Sequence, residues 1–428
     1  MNSDIAAERG GLTDENCALR IERRRTPMKS PRFADFPEQE YRLRVERAAN
    51  ILREENLDGL ILTQSENVYY TTGIRHVDVL KNIKDVPPTI TILTPDMGTI
   101  LVCRWPRSHV VIRETCWPEN IFTYDQDDNP AEAVASALNE YGLSKGRIGM
   151  ELNEGTRLGI CTNQLGLLMK LAQEHGGLEM VDGSAVVWRL RSVKSDFEID
   201  RLRRSAYATC KALEYAIDVV EIGMDEMELA REAGRVMMDE GAFWYNTQVL
   251  YPPFWACEAF DVQIPTGYVC FDFGAEYRHY LTDMHRVVAL GTKPTERERR
   301  LYDVRVEAND VIQQAVKPGK SFAEVLTELN AFVEESGCVM PENHLGHGIG
   351  LEIHEPPKIG FFEKPQLYSG GGMPGYPTRF ETGMVFALEP DIRDPELTMT
   401  FNCEDDVVVT ETGCELLAEL PREMRIKT

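Results

Sequence analysis

Four short segments in the last third of the chain each carry a carboxylate within or beside a strand-like apolar run, and this narrows the folds open to it. They are YVCFDFGA around Asp272, YLTDMHRVVAL around Asp283, GMVFALEP ending at Glu389, and NCEDDVVVT around Glu404. Asp is disfavoured inside strands, and a carboxylate pointing inward from such a run is costly unless it meets a cation. A fifth segment, HLGHGIG at 344–350, sets His347 among glycines that allow close backbone approach. Four carboxylates and one imidazole, with no thiolate, suit two hard or borderline divalent ions sharing a site and do not suggest a structural zinc. If the five converge, the chain is a two-metal enzyme.

Bulk properties set the outer limits. A chain of 428 residues is too long for one small core and is expected to form two domains. Its apolar content, 43%, is enough for buried cores, yet no apolar run approaches the ~20 residues that span a bilayer. The first residues lack an uninterrupted apolar stretch, so no signal peptide is expected. A formal net charge of −24 argues against nucleic acid or an anionic membrane surface as partner. None of the 10 cysteines forms a C-x-x-C pair, which points to reduced thiols in the cytoplasm.

Three regions follow from the patterning. Residues 1–34 are polar and without periodicity, a flexible leader with a basic cluster of Arg20, Arg23, Arg24, Arg25, Lys29 and Arg32. Residues 35–190 alternate helix and strand patterns, as one smaller α/β domain would. Helices are predicted over 38–55, 131–141 and 156–175, and strands over 58–63, 89–93, 99–103 and 147–152. Residues 191–428 open with long helical patterns to about 220 and over 225–240, add a helix pair within 295–337, and alternate short strands with Gly and Pro turns. This second region reads as α+β and holds all five candidate ligands.

Segments 268–275 and 280–290 read as a hairpin turning at Tyr277 and Arg278. Paired about that point, Asp272 and Asp283 are cross-strand neighbours with Cβ atoms ~4.5–5.5 Å apart, close enough to serve ions ~3.5–4 Å apart. Three of the chain's eight histidines, His344, His347 and His354, fall within 11 residues, too dense and too glycine-flanked for chance.

The set FDFG-x8-D, HGIG-x3-HEPP, GMVFALEP and E-D-D-V-V-V-T resembles the pita-bread metallopeptidases: methionine aminopeptidase, aminopeptidase P, prolidase and creatinase. DGLILTQSENVYYTTGI (58–74) and the connector RLRSVKSDFEIDRLR are similar to the creatinase and prolidase branch. The resemblance, over roughly 37–420, implies a C-terminal pita-bread domain behind a creatinase-type N-terminal domain, and two divalent ions (manganese, iron, cobalt or zinc) on Asp272, Asp283, His347, Glu389 and Glu404. It implies that Glu389 also accepts a proton, that His354 contacts substrate and stabilises the oxyanion or leaving group, and that the protein is a homodimer.

Two departures bear on the substrate. No histidine occurs between His175 and His279, where the family's peptidases carry one that contacts substrate, and Asn402 stands where the prolidase-like branch often has arginine. The stretch FWYNTQVLYPPFWACEAF (243–260) replaces the missing histidine with seven aromatics in eighteen residues. These read either as core packing or as a pocket wall in which Tyr251, Phe254 and Trp255 hold a small cationic or zwitterionic substrate. The expectation is a hydrolase that cleaves a C–N bond in a dipeptide or other small molecule. The alternative is a lyase of the dimethylsulfoniopropionate-cleaving type, which would carry an extra aspartate where Gly274 stands. A metal-free binding module is the third and weakest reading.

Overall fold

The computed structural model describes residues 31–74, 88–104, 112, 114–118, 120–125, 128–153, 155–174, 177–252, 262–360 and 375–428. Of the basic leader, only Arg32 lies within them. The chain divides into two compact units, the first ending at Leu152 and resuming over Arg157–Gly183, the second comprising Asn153–Thr156 and Ser184–Thr428.

The first unit is built on a six-stranded mixed sheet of β1 (Gly59–Leu62), β2 (Ile90–Leu93), β3 (Thr99–Arg104), β4 (Asn120–Tyr124), β5 (Arg147–Met150) and β6 (Glu179–Asp182), in the order β4-β3-β2-β1-β5-β6. Its helices are α1 (Glu38–Glu54), α2 (Ser65–Thr72), α3 (Pro130–Glu140) and α4 (Thr162–Glu174). Helix α1 buries Tyr41, Ala48, Ala49 and Leu52, the apolar face its period predicts. Helix α3 starts where the Asn129 side chain accepts the Ala131 N–H, with Pro130 in the first turn where a missing N–H costs nothing. The central strand β1 is GLIL, buried at every position, as a strand covered on both faces requires. Helix α4 begins six residues later than its pattern suggested, because 156–161 is irregular, with the Arg157 and Gly159 N–H groups tied to the Gln64 and Thr63 side chains.

One buried carboxylate organises the end of β1. Glu151 accepts from the Thr63 N–H (2.7 Å), the Thr63 hydroxyl (2.9 Å), the Gln64 N–H (3.0 Å) and the Asn67 amide (2.6 Å). Burial lifts its pKa above the ordinary carboxyl value and these four donors pull it back.

The second unit opens with α5 (Ser184–Arg191), α6 (Asp196–Val219) and α7 (Glu226–Asp239). Helix α6 carries a reciprocal capping box between Ser195 and Glu198. Two five-stranded sheets follow. One runs β16-β10-β8-β7, from β7 (Phe243–Leu250), β8 (Gly267–Tyr277), β10 (Met284–Leu290) and β16 (Arg425–Lys427), with the short β9 (Tyr280–Leu281) paired to β8. The other runs β12-β11-β13-β14-β15, from β11 (Gly346–Gly348), β12 (Glu355–Ile359), β13 (Val385–Leu388), β14 (Asp405–Val409) and β15 (Cys414–Leu416). Helices α8 (Glu296–Ala315) and α9 (Phe322–Glu335) complete it, each opened by its own capping box.

Strand alternation splits this unit into two cores. From β8, Val269, Phe271, Phe273 and Ala275 pack with α6 and α7, while Cys270 joins α8, α9 and the second sheet. Asp272 shares the Cys270 face, so it points away from the α6–α7 core. Every cysteine among the described residues is a free thiol. No helix among them is long and apolar enough to cross a membrane.

Replacing Glu151 with alanine should leave four donors without their acceptor and destabilise the first unit by about 3 kcal/mol or more. Urea titration followed by far-ultraviolet circular dichroism would measure the loss; an unchanged midpoint would refute this role.

Candidate metal centre

The β8–β10 hairpin presents the first candidates. Arg278 and His279, both at positive φ (50° and 74°), form the turn, one residue beyond the predicted position. The register therefore sets His285, not Asp283, opposite Asp272. Asp283 lies two residues before His285 on the same face, a diagonal neighbour of Asp272 and not the direct partner expected. The ladder is interrupted at Thr282 and Asp283, whose polar groups turn elsewhere. The Thr282 hydroxyl lies 2.9 Å from that of Thr209 and 3.2 Å from that of Ser205, both on α6. The Asp283 N–H donates to the buried Asp406 carboxylate at 3.1 Å.

The second sheet supplies the rest. His347 sits on β11 opposite Ala387, Glu389 follows β13 directly, and Glu404 directly precedes β14. The Glu389 N–H bonds to Leu345 O (3.1 Å) and the Glu404 N–H to His285 O (3.3 Å). His347 Nε2 lies 3.4 Å from Glu389 Oε1, while its Nδ1 meets Gly348 O at 3.0 Å. The His354 ring stands edge-on to that of His347, centroids 4.3 Å apart.

Two overlapping groups place one potential ligand atom per residue within 4.8 Å of each other: Asp283–His347–His354 and His347–Glu389–Glu404. The five sequence candidates thus largely converge. Asp272 falls outside both groups; its Oδ1 accepts from Asn246 on β7 (3.2 Å) and its Oδ2 faces His285 Nε2 (3.5 Å). Tyr251 gives its hydroxyl to Glu226 at 3.0 Å and packs against the α6–α7 core. Phe254 and Trp255 lie outside the described residues.

Electrostatics fit a cation. Burial, then repulsion from Glu404, Asp272 and Glu389, pushes Asp283 well above the usual carboxyl range. Glu404 is raised likewise by burial and Glu389, and Glu389 reaches about 7, again chiefly by burial. Burial lowers the imidazoles: His347 well below its ordinary value, His354 to about 4 and His344 to about 3. Neutral imidazoles beside crowded carboxylates form the oxygen and nitrogen donor set that divalent ions take, and a bound cation would offset the repulsion.

Neighbouring side chains hold this arrangement. Glu355, buried on β12, closes the loop between His347 and His354: it accepts the Leu351 and Glu352 N–H groups (2.8 and 3.2 Å), Arg191, and Lys194 (3.2 Å). Arg305 of α8 donates to Asn402 Oδ1 at 2.7 Å, so a guanidinium on a helix reaches the position where an arginine was missed in the sequence. His285 escaped notice there, although strand alternation from Asp283 marks it: Nδ1 lies 2.8 Å from Glu404 Oε2. Gly274 adjoins the same face, and a Cβ there would sit 2.3 Å from Thr282 O, leaving no room for an aspartate unless the backbone moves.

Residues 44–193 match the creatinase/prolidase N-terminal domain, and residues 200–411 match metallopeptidase family M24. An uncharacterized peptidase of Staphylococcus haemolyticus is 25% identical over 382 residues, 87% of this chain and 98% of that protein. The dipeptidase of Pyrococcus horikoshii superposes with a TM-score of 0.70 at 25% identity, over 90% of this chain and 99% of that one. The fold of an Xaa-Pro dipeptidase from Bacillus anthracis agrees at a TM-score of 0.71, 23% identity, and the same shares of 90% and 99%. The chain belongs to the pita-bread creatinase/prolidase-like metallopeptidase family, with an α+β catalytic domain.

The Glu355 cluster gives a pH test. Burial alone would raise the Glu355 pKa, but Arg191 and Lys194 hold it below the usual value. Its contribution to stability is then complete above the unfolded carboxyl pKa of ~4.3 and is lost as pH falls through the folded value. Glu355→Gln should cost about 3–5 kcal/mol at pH 7, and its difference from wild type should shrink below about pH 4. Urea unfolding across that range checks both; a pH-independent difference would contradict the assignment.

Proposed function

We propose that the protein is a dinuclear metal-dependent hydrolase that cleaves a C–N bond in a dipeptide or similarly small, zwitterionic or cationic molecule. Asp272, Asp283, His347, Glu389 and Glu404 would hold two divalent ions, drawn from manganese, iron, cobalt and zinc. The observation that carries this reading is the approach of His347, Glu389 and Glu404 within 4.8 Å, and of Asp283 and His354 to the same His347 within 4.8 Å. The name of the Pyrococcus neighbour favours a dipeptide, and that of the Bacillus neighbour a proline in second place.

Ions at such a site supply an acidified water and polarise the scissile carbonyl. The residues do the rest. Glu389, beside the water such ions would hold, is suited to accept a proton and return it. His354, its pKa lowered to about 4, stays neutral at physiological pH, so its ring N–H serves the oxyanion or leaving group by hydrogen bonding, without carrying charge. The lyase alternative is weakened by Gly274, since the aspartate expected of lyases would meet Thr282 O. The free thiols fit a cytoplasmic enzyme. Phe243 and Trp244, 66% and 58% exposed on edge strand β7, fit a homodimer better than an isolated chain.

The chain purified with its metals, or reloaded with manganese or cobalt, should hydrolyse an Xaa-Pro dipeptide or a creatine-like amidine. Chelation should abolish turnover and Asp283→Asn should lower kcat by about 100-fold or more. Elimination from a sulfonium acid with no hydrolysis would select the lyase instead. Failure to bind metal, with D283N indistinguishable from wild type, would leave only a binding module.

A further inference from the structure

We propose that Gln248 of β7 is a substrate-recognition residue, its Oε1 accepting a hydrogen bond from a protonated nitrogen of the substrate, such as the α-ammonium group of a dipeptide. This rests on the hydrolase reading above and names the group by which one small substrate is told from another.

Strand β7 changes face partway along. Its pairing with β8 sets Trp244 opposite Ala275, then resumes with Asn246 opposite Gly274, Thr247 opposite Phe273 and Gln248 opposite Asp272. Tyr245 is the extra residue of a β-bulge, which reverses the alternation on either side of it. Before the bulge, Trp244 shares the Ala275 face and packs on α7, where a Cβ at Gly234 would stand 3.4 Å from the Trp244 Cβ. After it, Asn246 and Gln248 share the face of Asp272. The next two residues agree with this parity: Val249 packs in the α6–α7 core, and Leu250 packs with Cys270 in the other core. A regular strand would have turned both amides into the α6–α7 core along with Trp244.

The two amides differ in what engages them. Asn246 donates to Asp272 Oδ1 at 3.2 Å. Gln248 stands directly opposite Asp272, is only partly buried, and its side chain takes no hydrogen bond among the described residues. One amide is thus spent on holding a candidate ligand, and the other is left facing the same site with both its donor and its acceptor available.

Asp272 decides which atom meets the substrate. An ionised carboxylate can only accept, so the Gln248 amide turns its NH2 toward Asp272 and presents Oε1 outward. What Oε1 selects is therefore an N–H donor. A charged donor gains most from such a bond, which points to an ammonium or amidinium group and not to a neutral amide. No histidine occurs between His175 and His279 to take this role, and a carboxamide fills it without changing its own charge.

The metal-loaded full chain is assayed with alanyl-proline as substrate and with propionyl-proline, which lacks only the amine, as competitor. Gln248→Met keeps the length of the side chain and removes its acceptor. It should raise KM for alanyl-proline about tenfold or more, with a smaller change in kcat. The inhibition constant of propionyl-proline should stay within about twofold of wild type. Gln248→Glu puts an acceptor back and should recover the preference for the amine-bearing compound. An equal loss for both compounds would make Gln248 a packing residue and overturn the proposal, as would no loss for either. If the wild-type chain does not hydrolyse alanyl-proline, the hydrolase reading falls, and calorimetric binding of the two compounds to wild type and Q248M decides the contact by the same differences. Absence of alanyl-proline binding to wild type would overturn it too.

Discussion

Arg286 joins the two sheets of the second unit, and the candidate site depends on that joint. All five of its N–H donors are used: Nε on Pro421 O (2.9 Å), Nη1 on His285 O (2.7 Å) and Glu404 O (2.8 Å), Nη2 on Asp405 Oδ1 (2.6 Å) and Leu420 O (3.1 Å). The side chain is almost wholly buried, and Asp405 beside it also pairs with Arg422 at 2.7 Å. A guanidinium can be buried like this only if every donor is satisfied. The strand carrying His285 and the segment carrying Glu404 therefore have one mutual placement that keeps the charge compensated. Because Glu404 O and His285 O share one nitrogen, any slip of β14 against β10 would break the site and the ion pair together.

Around this joint, the helices act as donors to the ligand-bearing segments. Helix α8 sends Arg305 to Asn402 and the Asn309 amide to Cys403 O at 2.8 Å, fixing the two residues before Glu404. Helix α6 sends Ser205 to Ala275 O at 2.8 Å and accepts the Ala275 N–H on Thr209 at 2.9 Å, which stabilises β8 where the ladder is interrupted before Asp283. Asp406 and Glu355, neither a candidate ligand, hold the backbone of Asp283 and the loop before His354. Crowded carboxylates repel, and without such fixed donors they would turn outward to water. The supporting residues make convergence the cheaper arrangement, and they come from elements far apart in sequence.

That distribution decides what could be read in advance. A carboxylate within or beside an apolar strand segment is a local signal, so Asp272, Asp283, Glu389 and Glu404 stood out, as did His347 among its glycines. Register is not local. The hairpin turn lies at Arg278–His279 because two consecutive residues adopt positive φ there, and the interruption at Thr282 is maintained by α6 and Asp406. Neither is encoded near Asp272, and the aspartates were consequently paired two positions out of register. His285 was hidden for a simpler reason: a histidine in a strand is common, and only its place opposite Asp272 and two residues after Asp283 gives it meaning. The absent arginine at Asn402 was legible; its replacement by Arg305 from α8, some hundred residues earlier, was not.

Gly274 shows how backbone geometry narrows the chemistry. Its Cα faces Thr282 O so closely that any side chain would collide, and that carbonyl is where it is because the Thr282 hydroxyl is held by α6. The same contacts that turn Asp283 toward His347 therefore exclude a third aspartate from β8. An extra carboxylate there would add charge beside Asp272, which already relies on Asn246 and His285 for company. The hairpin instead places an imidazole in that neighbourhood. Were divalent ions held here, an imidazole in place of a further carboxylate nearby would leave them more electrophilic, which favours polarising a carbonyl and lowering the pKa of water over supplying a strong carboxylate base. The steric demand of one glycine, transmitted through Thr282 and α6, thus keeps a further carboxylate out of this face of β8.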